Sequence, residues 1–226
     1  MGVKERQERD REAVSRAILD AARELFVTHG YEEVSIRKIA DRIEYSPAAI
    51  YGYFPSKDDI FFALAEEGFR LLFSRGEGIP APTTGDPADV LRTIFWRYYE
   101  FSKTHPAYFS LMFLDRTVPR ISQNWDRFGF VGEMKHDMVL RVQQAIDAGA
   151  CPPGTPAHAA FRLMLTAAHG AAVLQLCDRL APGEDGDALA RAAIDAMLLG
   201  LREGAGRSLP DLACIHPDNE DNRHDS

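Results

Sequence analysis

Cysteine is scarce here: Cys151, Cys177 and Cys214 are scattered through 226 residues, and no CxxC spacing joins any two. An odd, dispersed set builds no disulfide framework and lacks the paired spacing of a zinc site. The N-terminus has no apolar stretch of the kind that directs export, because Met1 to Asp20 is dominated by Lys, Arg, Glu and Asp. Nor does any apolar run approach the ~20 residues needed to cross a bilayer. The expectation is a cytoplasmic protein with free thiols, no metal and no membrane partner.

Catalytic signatures are missing too. There is no Ser-His-Asp ordering with elbow glycines, no glycine-rich phosphate loop and no His/Cys cluster at ligand spacing. The chain is therefore not expected to be an enzyme or to need a cofactor, and a helical enzyme is the remoter alternative. An excess of positive charge is also absent, with 26 Lys and Arg against 34 Asp and Glu giving a net charge of −8. The deficit is uneven. Residues 1–57 carry ten of each sign, so the whole −8 lies beyond them. Charge permits nucleic-acid binding near the N-terminus without pointing to it.

What the sequence does contain is helical periodicity, and no alternating strand of useful length. Ile18, Ala21, Ala22, Leu25 and Phe26 make one apolar face, with a stop at His29-Gly30. Ser35 caps a short second helix bearing Ile36, Ile39, Ala40 and Ile43. Ser46-Pro47 opens a third, and Ser56-Lys57-Asp58-Asp59 a fourth that continues to Leu72. Gly76 to Pro87 reads as a loop. Helices are expected over Asp86–Thr104, Pro106–Leu114, Ser122–Ala148, Pro156–Leu180 and Asp187–Glu203, followed by a polar, aperiodic and disordered tail from 205 to 226.

The stretch from 36 to 54 has the spacing of a helix-turn-helix. Two short helices that cross closely need a small residue at the crossing, which Ala40 supplies, and Ile50 returns an apolar side chain to it ten residues later. The outer face from Pro47 to Tyr53 is then left to enter a major groove. The run Ile18 to Phe69, above all Ser46-Pro-Ala-Ala-Ile-Tyr-Gly-Tyr-Phe-Pro-Ser-Lys57, resembles the DNA-binding domain of the TetR/AcrR repressors. That family has a Ser or Thr, an aromatic-x-aromatic-Phe stretch and a lysine opening helix 4. Tyr51, Tyr53, Phe54 and Lys57 occupy those places here, with Gly30-Tyr31 and Ser35-Ile36 upstream. Two departures stand out. Glu44 sits where a turn glycine is usual, which predicts either a strained positive φ or an altered turn. Ala48-Ala49 replaces more polar residues, which predicts apolar contact with thymine methyls and heavier reliance on phosphates.

The resemblance implies an all-α protein: an arm over 1–10, a DNA-binding domain over 11–72, and an effector-binding and dimerisation domain over 73–204. It further implies a ligand-responsive repressor, acting as a homodimer on a palindromic double-stranded operator and released by a small-molecule effector. Ser35 and Arg37 would face the DNA backbone or a base edge. Ser46, Pro47, Ala48, Ala49 and Gly52 would lie against the groove, Tyr51 and Tyr53 would reach phosphates, and Lys57 would neutralise one. The arm, whose Lys4, Arg6, Arg9 and Arg11 alternate with acidic residues, is expected to be a solvated, partly helical tail. A helical small-molecule-binding module without a DNA function is the alternative that Glu44 and Ala48-Ala49 keep open.

For the effector, an aromatic and sulfur-bearing set stands between 95 and 138. Tyr98, Phe101, Tyr108, Phe109, Met112, Trp125, Phe128 and Met138 are the candidates, with Phe95 and Met134 beside them. His169 is the polar handle chosen over His105 and His136. An apolar wall with few polar groups predicts a mainly apolar effector. Ala- and Leu-rich faces in the last two helices suit packing between subunits and an intrachain core equally; two half-sites read by a two-fold pair favour the former.

Overall fold

The helix-forming periods translate directly into helices. The computed structural model describes residues 3–74, 85–120, 125–207 and 209, and no strand occurs among them. In chain order the elements are α1 (Val3–His29), α2 (Ile36–Arg42), α3 (Pro47–Tyr51), α4 (Lys57–Ser74), α5 (Ala88–Thr104), α6 (Pro106–Phe109), a π-helical turn (Ser110–Leu114), α7 (Trp125–Asp147), α8 (Ala157–Leu176) and α9 (Gly186–Arg202). The expected termini are set by the residues that predicted them. Gly30 takes φ +82, open to glycine without strain, and its N–H closes α1 on the Phe26 carbonyl at 2.9 Å. Ser56 Oγ accepts from the Asp59 N–H at 3.1 Å and donates to its carboxylate at 2.6 Å, capping α4.

Three expected helices differ in detail. Pro106–Leu114 is not one α-helix: after four residues the chain widens into the π turn, in which the Asp115 N–H reaches the Ser110 carbonyl at 2.9 Å. The helix α7 is kinked at Phe128, whose φ of −106° and ψ of 19° leave the helical range. The helix α8 stops at Leu176, four residues short of the expected end, and Asp178 just beyond it has φ +52. Residues 1–2, 75–84 (which include 76–84 of the expected loop), 121–124, 208 and 210–226 lie outside the described residues. At the head of the tail, the Ala205 N–H bonds the Gly200 carbonyl at 2.8 Å as α9 ends.

The chain divides into two compact units, Met1–Arg75 with Thr104–Gly132, and Gly76–Lys103 with Glu133–Ser226. The first holds α1 to α4, α6, the π turn and the start of α7. Its core is built from Ile18, Phe26, Ile39, Ala40, Ile50, Ile60, Phe61, Phe109 and Phe128, each at most 1% exposed. The aromatic rings pack edge-on or tilted, as ring quadrupoles favour: Phe62–Phe128 at 5.5 Å, Phe69–Phe113 at 6.2 Å and Phe109–Phe113 at 5.0 Å. Gly68 makes this packing possible, because a Cβ there would overlap the Met112 sulfur and come within 3.1 Å of the Tyr108 ring. Around this core, Arg16 binds Asp20 and Glu67, both at 2.7 Å, and Arg23 donates to the Tyr108 hydroxyl at 2.7 Å.

The second unit holds α5, the rest of α7, α8 and α9. Leu91, Phe95, Val142, Ile146, Met164, Ile194 and Leu198 form its core, with alanines 157, 160 and 168 letting the helices approach closely. Arg202 joins Asp86 at 3.2 Å and the Ala150 carbonyl at 3.2 Å. These bonds tie the end of α9 to the segments before α5 and after α7.

Candidate nucleic-acid interface

Two serines set where the short helices begin. Ser35 Oγ accepts from the Lys38 N–H at 3.3 Å and Ser46 Oγ from the Ala49 N–H at 3.2 Å, so both α2 and α3 begin on a side-chain cap. Pro47 occupies the first turn of α3, where its missing N–H has no intrahelical partner to lose. Ala40 on α2 and Ile50 on α3 are both 0% exposed, so the small residue and the branched one both face the core. The turn between them is tight, with the Tyr45 N–H on the Ala40 carbonyl at 3.0 Å. Glu44 adopts φ +60 there, so the turn is not altered to suit the side chain. The residue bears the strain that a glycine would avoid.

With Ile50 turned inward, the other side of α3 is presented outward. Ser46, Pro47, Ala48, Tyr51 and Gly52 are exposed and Ala49 is half-buried, while Tyr51 shows 54% of its surface. No charged side chain lies on this short helix. Arg37, on α2, is 84% exposed, with Asp41 no nearer than 4.0 Å. Cationic contact with a polyanion is therefore left to the periphery of the helix rather than to its face.

Lys57, at the start of α4, is engaged within the protein. Its Nζ donates to the Tyr31 carbonyl at 2.9 Å and stands 4.0 Å from the centroid of the Tyr31 ring. The Tyr31 hydroxyl in turn donates to the Asp58 carboxylate. Burial first, and Asp58 second, push that phenol well above its usual range, so it stays a donor. Lys57 thus clamps the α1–α2 connection to the start of α4. Two further features have no counterpart among the residues expected at the interface. Tyr45 is 44% exposed in the turn itself. Arg11 Nη2 reaches the Gly52 carbonyl at 3.4 Å, and its guanidinium lies 5.3 Å from the Tyr53 ring centroid. No local pattern couples residues 41 apart, although the helical spacing of Lys4 and Arg11 is legible.

The effector candidates fall into both units. Tyr108, Phe109, Met112 and Phe128 belong to the first, where they fill the aromatic core against α1 and α4. Tyr98, Phe101, Met138 and His169 belong to the second. There Tyr98 and Met138 pack on the core, Phe101 is buried, and the Tyr98 hydroxyl shares a 2.9 Å hydrogen bond with His169 Nδ1. Burial holds the His169 imidazole below its ordinary range and the Tyr98 phenol above its own, so both are neutral near pH 7. Trp125 opens α7, and its side chain lies outside the described ones. A groove of about 350 Å³ lined by α5 and α9 is edged by Arg92, Trp96, Arg97, Glu100, Arg191 and Asp195, and by none of the effector candidates.

Residues 18–64 match the sequence profile of the bacterial regulatory proteins of the tetR family, and residues 91–197 match a tetracyclin repressor-like C-terminal domain. The chain belongs to the TetR family. It is 44% identical over 52 residues to the HTH-type transcriptional repressor Rv1474c of Mycobacterium tuberculosis, a match covering 23% of this chain and 28% of that protein. The chain thus spans little more than a quarter of that curated relative. The TetR regulator PfmR from Thermus thermophilus superposes with a TM-score of 0.64 at 22% identity, over 81% of this chain and 98% of that one. FadR from Bacillus subtilis, solved in complex with stearoyl-CoA, gives 0.66 at 16% identity, over 82% and 98%. At such identities the superpositions establish the TetR fold. The TetR family is one of transcriptional regulators, not of enzymes.

Proposed function

We propose that this protein is a cytoplasmic, homodimeric transcriptional repressor that reads a palindromic operator and leaves it when a small, mainly apolar effector binds. The observation that carries the reading is the two-sidedness of α3: Ile50 is 0% exposed while Tyr51, its neighbour, is 54% exposed. A helix so short, capped at its start and buried on one side only, presents its other side to a groove. Residues 11–72 would supply the DNA-binding domain, 73–204 the effector and dimerisation functions and 1–10 the arm. Ser35, Arg37, Tyr51, Tyr53 and Lys57 would anchor phosphates, and Ala48 and Ala49 would meet thymine methyls.

Dimerisation is supported by an uncovered face. On α9, Ala188, Leu189, Ala192, Ala196 and Leu199 are all exposed on one side, and on α8 Thr166, Gly170 and Leu174 are exposed. Small residues beside leucines suit close helix packing across a two-fold axis. Only 33% of the most apolar stretch of α8 is buried within the protomer, so a second copy has a face to cover. For the effector, FadR's stearoyl-CoA supports an acyl ligand as the first class to try. The Tyr98–His169 pair, neutral and hydrogen-bonded among apolar side chains, would serve as its polar handle. An effector binding one conformation better than the other would couple by about 1–3 kcal/mol, lowering DNA affinity several-fold to over a hundredfold.

The test begins by selecting duplexes from a random library with the full chain, followed by gel-shift titration of the enriched sequence. Enrichment of an inverted repeat is expected, together with a loss of roughly tenfold or more for Tyr51→Ala as a phosphate hydrogen bond is removed. Failure to enrich any sequence would overturn the reading. Release by long-chain acyl-CoA tests the effector class separately.

A further inference from the structure

The exposed segment before the N-terminal core is helical from Val3, and its charges are sorted. The helix α1 begins at Val3; residues 4–13 are exposed and 14–17 half-buried ahead of the first fully buried side chain, Ile18, so about three turns project ahead of the core. Residues 4–12 are all exposed, and by count their four positive and four negative charges cancel. On a helix the count is not what a partner meets. Seven residues bring a side chain back to within about 20° of its starting direction, so Lys4 and Arg11 lie on one line, with Gln7 about 40° to its side. Glu5, Asp10 and Glu12 lie roughly 90–110° from that line and Arg6 and Arg9 on the far side, while Glu8 borders it on the opposite edge about as closely as Gln7 does.

The direction of this stripe is set by contact. Arg11 is the residue whose guanidinium reaches the Gly52 carbonyl at 3.4 Å and the face of Tyr53, at the C-terminal end of the exposed helix α3. The stripe therefore continues the surface that α3 presents. It supplies the positive charge that α3 lacks. Lys4 and Arg11 stand about 10 Å apart along the axis, the rise of about three phosphates on one strand.

We infer that the projecting first turns of α1 form a second DNA-contacting element, in which Lys4 and Arg11, with Gln7 between them, engage phosphates of the duplex flanking the groove occupied by α3. The inference rests on the repressor reading above. The element carries no sequence information of its own; it adds affinity and register, and makes binding more sensitive to salt. Arg11 has five N–H donors and spends one on Gly52, so a phosphate can be bound without releasing the recognition helix.

The experiment compares two paired variants on the duplex enriched by the wild-type chain, titrated at several salt concentrations. Lys4→Ala with Arg11→Ala removes the stripe, and Arg6→Ala with Arg9→Ala removes the same charge from the far side. The stripe variant is expected to bind roughly tenfold or more weakly near 0.15 M salt, with the slope of log affinity against log salt shallower by about 0.9 for each phosphate no longer neutralised. The far-side variant is expected to keep the wild-type slope. Equal losses in both variants would make the effect one of overall charge, and an unchanged slope in the stripe variant would make Arg11 a support for Tyr53 only. Either result overturns the inference and leaves the repressor reading standing. Failure of the wild type to enrich any duplex would remove both. All four side chains are exposed, so circular dichroism should show each variant folded as the wild type.

Discussion

Glu44 holds φ +60 in the turn between α2 and α3, a conformation that costs a residue with a Cβ about 1–2 kcal/mol. Its side chain is exposed, so nothing is lost in packing by removing it. Glu44→Gly should therefore stabilise the protein by about 0.5–1 kcal/mol, the relief of strain being partly offset by the greater freedom of glycine in the unfolded chain. That corresponds to a rise of about 1–4 °C in Tm by differential scanning calorimetry. A fall in Tm would mean that the glutamate makes a stabilising contact in the turn. The residue was recognisable in the sequence as out of place. Which of the two outcomes it would take, strain or an altered turn, was decided by the bonds that close the turn around Ala40.

Among the elements, α4 and the α6–π segment show how a glycine decides where a helix can pack. Gly68 faces the Met112 sulfur and the Tyr108 ring, and the Tyr108 hydroxyl is held by Arg23. The thioether can swing aside for a methyl group, but the ring cannot move far. Gly68→Val is expected to destabilise by about 1–3 kcal/mol through overpacking and to lower Tm by several degrees, while Gly68→Ala is much milder because alanine's helix propensity offsets the crowding. Equal Tm values for wild type and Gly68→Val would show that the two segments pack less closely than this. The period of the apolar residues revealed each helix on its own. It did not reveal that Thr104–Gly132 packs with the N-terminal helices, because that grouping joins residues dozens of positions apart. The same separation explains why the aromatic residues read as one group divide between two units.

For the whole molecule, acid and association give two expectations. Half-buried His169 resists protonation, so below its ordinary value of 6.5 the unfolded chain binds a proton that the folded chain does not. Stability should fall as pH drops from about 6.5, and His169→Phe should lessen that dependence in thermal melts between pH 7 and pH 5. A second loss begins lower, near the ordinary carboxylate value of 3.8. Asp20 is held down by Arg16, Asp86 by the Ala88 N–H and Asp187 by Lys103, so each stabilises the fold above that pH and ceases to as it is protonated. These last groups are well solvated, and their share is correspondingly screened. Association should depend on the exposed face of α8 and α9. Leu199, 61% exposed in the protomer, becomes buried if a second copy covers it. Leu199→Glu should then shift the sedimentation coefficient from dimer to monomer without unfolding either helix, and an unchanged dimer would place the interface elsewhere.

By itself the amino-acid sequence determined what is settled within a few turns of chain: the helical periods, the serine caps at 35, 46 and 56, the glycine stop at 30, and the Ala40–Ile50 crossing that makes a helix-turn-helix. Each depends on backbone bonds and side chains a few residues apart, or on steric fit between adjacent helices. Tertiary structure alone decided that Lys57 grips Tyr31, that Arg11 lies beside Gly52, that Tyr98 meets His169, and how the aromatic residues are shared between two cores. Those pairings depend on which long-range approaches the packed helices allow, and no local pattern in a single chain carries that information.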